Sequence, residues 1–199
     1  MTYASRFGNM TVVDEPVYKS ELFGGLGYVT GFYSQTANST TITNTTTETT
    51  LIGSGVGSLS VPANTFQVGN AYLVKIGGII SSQNGDLIRF KVKANSGTII
   101  LADTRDITLK ASTNKVWQLE IQFVIRAIGA DTVASIKTHF VFSYEEDSSD
   151  KFDSQAFDVL NNTTFDTTIN NTLDITATWG QGKVQDSIYS TVFNLNKIF

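Results

Sequence analysis

The chain has 199 residues, with 14 basic and 18 acidic side chains and a formal charge of −4. That balance argues against a sequence-independent nucleic-acid binder, which needs a basic face to displace counterions. The absence of Cys excludes disulfides, thiolate metal sites and thiol nucleophiles together, while a hydrophobic content of 41% is too apolar for disorder throughout.

Residues 1–35 differ from the rest. Tyr3, Phe7, Tyr18, Phe23, Tyr28, Phe32 and Tyr33 are scattered among Gly24, Gly25, Gly27 and Gly31 with no period of 2 or 3.6. Glycine in such numbers costs conformational entropy in any regular element, so the segment reads as an irregular arm. Its seven aromatics are candidate assembly contacts that need a surface to dock on. The Met1–Met10 stretch carries Arg6 with no apolar run after it, which gives no expectation of a secretory signal. No later run reaches the roughly 18 apolar residues of a membrane-spanning helix.

Residues 36–50 are rich in Thr, Asn and Ser. The composition suggests a tether in its first half, while β-branched Thr with Ile42 predicts the first strand of a domain in its second half. From residue 51 to 199 the pattern alternates. Tyr72, Val74 and Ile76 share one face of a strand expected to end at Gly77-Gly78. Ile88, Phe90, Val92 and Ala94 oppose Arg89, Lys91 and Lys93. Trp117, Leu119, Ile121, Phe123 and Ile125 line a third strand, followed by Phe140-Val-Phe142-Ser-Tyr144, Leu173-Asp-Ile175-Thr-Ala177-Thr-Trp179 and Phe193-Asn-Leu195. Asn84-Gly85-Asp86, Asn95-Ser96-Gly97, Ile128-Gly129-Ala130-Asp131 and Gly180-Gln181-Gly182 supply the turns between them. Seven to nine half-buried strands joined by short turns predict an all-β fold. The expected form is an antiparallel, jelly-roll-like β-sandwich preceded by the arm.

Leu51–Asn70, Leu101-Ala-Asp-Thr104, Trp117–Arg126, Phe165-Asp-Thr-Thr-Ile169, Asn171–Gly180 and Leu195-Asn-Lys-Ile-Phe199 occur in that order. Together they resemble the jelly-roll head module of phage tail-fibre, large DNA virus capsid-associated and collagen-like structural proteins. The resemblance covers residues 45 to 199 and implies a head displayed on a particle, often trimeric, with no catalytic residues to carry over.

The reactive groups read blandly. His139, the one histidine, falls in a strand pattern, and no Gly-x-Ser-x-Gly elbow is present. Glu145-Glu146-Asp147 with Asp150 and Asp153 lacks the glycine and terminal Glu of an EF-hand, and reads as a solvated loop. Arg89, Lys91 and Lys93 form a basic stripe without interleaved aromatics, so stacking on nucleic acid is not expected. No catalytic residue, metal or cofactor is expected. Six Asn-x-Ser/Thr sequons occur, at Asn9, Asn38, Asn44, Asn161, Asn162 and Asn170, and glycosylation there is not expected.

These readings converge on a non-enzymatic virion structural protein: a minor capsid, penton, fibre or tail component. Residues 1–35 would bind other capsid or tail proteins, and the head would be a homo-oligomer, a trimer before a pentamer. The alternative is an adhesion module whose loops grip a host surface receptor or glycan.

Overall fold

A computed structural model describes residues 30–148 and 151–199. Fifteen strands lie within them. The chain opens with β1 (Thr30–Gln35), β2 (Ile42–Thr43), β3 (Thr49–Thr50), β4 (Gly55–Gly57) and β5 (Ser60–Val61). The long strands β6 (Ala71–Ser82) and β7 (Leu87–Ala94) follow, then β8 (Ile99–Asp103), β9 (Ile107–Thr108), β10 (Ser112–Ala127), β11 (Ser135–Glu145) and β12 (Phe152–Asn161). The last are β13 (Asn171–Thr172), β14 (Asp174–Trp179) and β15 (Ser187–Lys197). Among the described residues the one helical element is a 3₁₀ turn at Asn95–Gly97, where Asn95, Ser96 and Gly97 all take positive φ.

Two antiparallel sheets stack. The larger has the order β12-β11-β10-β6-β15-β1-β4, with β2 on β15; the smaller runs β3-β14-β7-β8, with β9 on β7. A β5–β13 ladder forms a third, minor sheet. After β6 the chain crosses to the second layer for β7 and β8 and returns for β10. After the β11–β12 hairpin it crosses again for β14 and comes back for β15. The inner quartets β1-β15-β6-β10 and β3-β14-β7-β8 are therefore interleaved along the chain as two Greek keys, the order of a jelly roll. β11 and β12 extend the larger sheet beyond that frame.

Period-2 patterning drives this arrangement, because apolar residues at alternate positions fall on one face of each strand. Ile88, Phe90, Val92 and Ala94 of β7 are buried, as are Trp117, Leu119, Ile121, Phe123 and Ile125 of β10. Between the layers, the Phe90 ring lies 4.7 Å from that of Phe142 and 6.1 Å from that of Trp117. Both indole N–H groups are satisfied: Trp117 donates to the Tyr189 carbonyl at 3.2 Å and Trp179 to the Ile42 carbonyl at 3.1 Å.

The structure corrects three boundaries. Thr30–Gln35, expected to belong to the arm, is a strand held between β15 and β4, so the head reaches back at least to Thr30. The Thr/Asn/Ser tract is neither a tether nor the first strand. Its Ser39 is buried, donating its N–H to the Ser190 carbonyl while its Oγ accepts the Ser190 N–H. Only two-residue strands form at Ile42–Thr43 and Thr49–Thr50. Gly77-Gly78 does not end a strand, for β6 runs through it to Ser82. A Cβ on Gly78 would stand 2.0 Å from the Tyr189 carbonyl oxygen. Only glycine fits so close to the neighbouring backbone, and the β6–β15 register shifts just beyond it, between Ser190 and Val192.

Candidate assembly surface

Of the seven aromatics expected to make assembly contacts, Tyr3, Phe7, Tyr18, Phe23 and Tyr28 lie outside the described residues. Phe32 and Tyr33 sit on β1 and pack against the head itself. The Phe32 ring meets Tyr72 edge-on at 5.7 Å, and Tyr33 meets Phe193 at 5.8 Å. The Tyr33 hydroxyl donates to the Gly53 carbonyl at 2.7 Å. These two are therefore core-flanking residues of the head.

The basic stripe on β7 is neutralised from within. Glu48 takes ion pairs from Lys91, at 2.6 Å, and from Lys93, and accepts a hydrogen bond from Thr176 Oγ1 at 2.9 Å. Burial alone would raise the Glu48 carboxyl, but these donors outweigh it and hold the group down at about 2. Arg89 forms a two-pronged contact with Asp103, its Nε at 2.7 Å from Oδ1. The acidic partner of the stripe thus comes from the Thr-rich tract of the same chain, across 43 and 45 residues of sequence.

The acidic run is bound in the same way. Glu145 pairs with Lys115 at 2.6 Å, and Asp147 accepts from the Thr113 N–H and hydroxyl at 2.9 and 2.8 Å. Asp150 lies outside the described residues. His139 stands on the outer face of the large sheet, with Nδ1 4.0 Å from Asp158, itself paired with Lys137 at 2.7 Å. Among the described residues no group of three or more His, Asp or Glu side chains is placed to hold a metal ion. Asn161, one of the sequon residues, is buried as a loop organiser. Its Oδ1 accepts the N–H groups of Thr163, Thr164 and Phe165, and its Nδ2 donates to the Ile100 carbonyl at 2.8 Å.

Sequence reading missed a pair of facing carboxyls. Asp86, from the β6–β7 turn, and Asp186, from the β14–β15 turn, are both buried and lie beside each other, and Asp186 Oδ1 has no hydrogen-bond partner among the described residues. Lys183 and the Gln83 N–H, the latter at 2.7 Å, both donate to Asp86. Burial pushes the Asp186 carboxyl up, with the Asp86 charge beside it adding to the effect, to about 7. Asp86 is pulled the other way: burial opposes, but Lys183, Asp186 and the Gln83 N–H hold it below the usual carboxylate range. The neighbouring carboxyls thus shift in opposite directions, Asp186 toward its neutral form and Asp86 toward its charged form. Both residues sit in turn sequences, so nothing in the period-2 pattern marks them.

An apolar core cavity of about 50 Å³ is lined by Leu59, Phe66, Tyr72, Phe123, Phe165 and Asn171, among others. That is room for a water or a methyl group, not for a sugar or cofactor. On the outer face of the large sheet a groove of about 450 Å³ opens over Gly77-Gly78, flanked by Ile79, Val116 and Val192.

No family model matches the chain, and no curated protein matches it either.

The other prominent surface feature is an edge. Among the described residues β12 pairs only with β11, over ten consecutive residue pairs without a bulge. The opposite edge, β4, is three residues long. Phe152 and Leu160 of β12 are 57% and 45% exposed on the outer face. Native edges are ordinarily kept short, bulged or studded with Lys and Pro to prevent pairing. β12 is ten residues long, unbulged and without Lys, Arg or Pro, and its charged residues are Asp153 and Asp158.

Proposed function

We propose that the protein is a non-enzymatic structural component of a virus or phage particle. It is a jelly-roll head, in a minor capsid, penton, fibre or tail position, carried by an anchoring segment within residues 1–29. The reading rests on the resemblance of residues 45 to 199 to such heads. The observation that carries it on the structural side is the jelly-roll strand order combined with a long, unbulged edge strand that has no second pairing partner among the described residues. A fold supports many functions and does not by itself specify one. An undefended edge, however, is costly for a free monomer and useful for a chain that assembles. Some of the chain's charges are held in internal pairs, at Glu48, Asp103, Asp86 and Glu145. The head is homo-oligomeric, threefold by the resemblance.

An antibody raised against the recombinant head tests this on particles purified by density gradient from lysates of the source. Co-sedimentation with intact particles is expected, together with failure of a chain lacking residues 1–29 to join them. Recovery of the protein solely in the free soluble fraction would overturn the proposal.

A further inference from the structure

The edge of β12 that is unpaired among the described residues has a backbone phase that can be read from the hairpin. Glu146 donates its N–H to the Lys151 carbonyl at 2.9 Å, and Tyr144 lies opposite Asp153 in the same ladder. Opposed residues in an antiparallel pair alternate between hydrogen-bonded and non-hydrogen-bonded positions. Asp153, Gln155, Phe157 and Val159 therefore spend their N–H and C=O groups on β11. Phe152, Ser154, Ala156, Asp158 and Leu160 direct theirs outward, away from the sheet. The same five residues carry their side chains on the outer face. Their Cβ atoms share one side of the pleat, opposite that of Phe157, which stacks on buried Phe140 with ring centroids 4.9 Å apart.

We infer that β12 pairs antiparallel with β12 of a second copy of this chain, about a twofold axis at Ala156. The occupant is argued from the strand's complementarity to itself. In that register all five outward-directed residues find outward-directed partners: Ala156 faces Ala156, Ser154 faces Asp158, and Phe152 faces Leu160 on each side of the axis. The two most exposed apolar residues of the strand thus cover each other twice. Each Asp faces a neutral residue, since Asp153 lies opposite Val159 and Asp158 opposite Ser154. A slip of two residues sets Phe152 against Asp158 in one direction and Leu160 against Ser154 in the other. A slip of one residue opposes outward-directed with inward-directed backbone and loses the ladder. The contact is isologous, and each copy has one such edge, so it closes at two copies. The large sheet then runs unbroken through both heads. Where the heads are also threefold, this twofold contact joins one ring to the next. The inference concerns the edge alone and stands whether or not the protein belongs to a particle.

The chain has no cysteine, which makes a single introduced thiol a clean probe. Residues facing each other in a hydrogen-bonded antiparallel pair have Cα atoms about 5.5 Å apart, within disulfide reach. Full-length Ala156→Cys, mildly oxidised, is expected to run as a covalent dimer on a non-reducing gel. Gln122→Cys, exposed on the same outer face but two strands inward, serves as the control and is expected to stay monomeric on that gel. Ala156→Pro removes an outward N–H that β11 does not use, so the fold persists by circular dichroism while the native mass in light scattering halves. Absence of the Ala156→Cys dimer, equal cross-linking at Gln122→Cys, or an unchanged mass in the folded Ala156→Pro variant would each overturn the pairing. Absence of the dimer is also the result expected if residues 1–29 of the same chain cover the edge.

Discussion

At the scale of single residues, the chemistry of this head is concentrated where charges are buried rather than where they are displayed. Asp186 is the clearest case. Its carboxyl is raised to about 7 in the folded chain, against an ordinary value near 4 once unfolded. Below about pH 4 both states hold the proton and the group costs nothing. As pH rises from there to 7, the unfolded chain releases a proton that the folded chain keeps, so stability falls through that window and levels off above it. Asp186→Asn keeps the shape, supplies an N–H for Asp86 and removes the titration. It is expected to be more stable than the parent at pH 8, by on the order of 1–3 kcal/mol, with the gap closing toward pH 4. Denaturant unfolding across that range measures it, and a variant less stable than the parent at pH 8 would contradict the raised Asp186 carboxyl.

At the scale of elements, the long strands were legible because β7 and β10 alternate without interruption, and burial is sufficient to fix their register. The turns at Asn84-Gly85-Asp86 and Asn95-Ser96-Gly97 were legible for a related reason, since Gly and Asn accept the positive φ found there. What escaped notice was structure held by single hydroxyls and backbone groups. The Thr-rich tract looks like a linker by composition, yet Ser39, Glu48 and Thr50 tie it to β15, β7 and β14. β1 escaped because Gly31 interrupts its pattern and a Gly-rich stretch precedes it. Trp179 shows how the tract is fastened, for its indole is buried and donates to Ile42. Trp179→Ala is expected to cost about 3–5 kcal/mol. It is also expected to strip hydrogen-exchange protection from residues 42–44. A loss of only a few tenths of a kcal/mol would mean that the tract and β14 are not joined as described.

At the scale of the whole molecule, the position of β1 changes where the head can be cut. Removing residues 1–29 leaves every described strand in place, and Tm is expected to hold. Removing residues 1–35 strips β1 from between β15 and β4 and uncovers Tyr72 and Phe193. A fall in Tm on the order of 10 °C is expected from the lost burial, and calorimetry of the two truncations separates the cases. The registers also give the head a direction. Thr30 lies opposite Lys197, and Tyr72 of β6 is opposite the same residue, whereas Ser81 is opposite Ser187 at the far end of the sheet. The chain therefore enters and leaves the sandwich at one pole, while the turns at residues 83–86 and 180–186 crown the other. Gly85 has no neighbouring atom within 4 Å of where a Cβ would stand, so the crown is open there. A peptide epitope or fluorophore grafted between Asn84 and Gly85 would ride on the end opposite Thr30 and Lys197. That makes the sandwich an oriented platform, and a tag fused after Phe199 would sit at the pole of Thr30, opposite the graft.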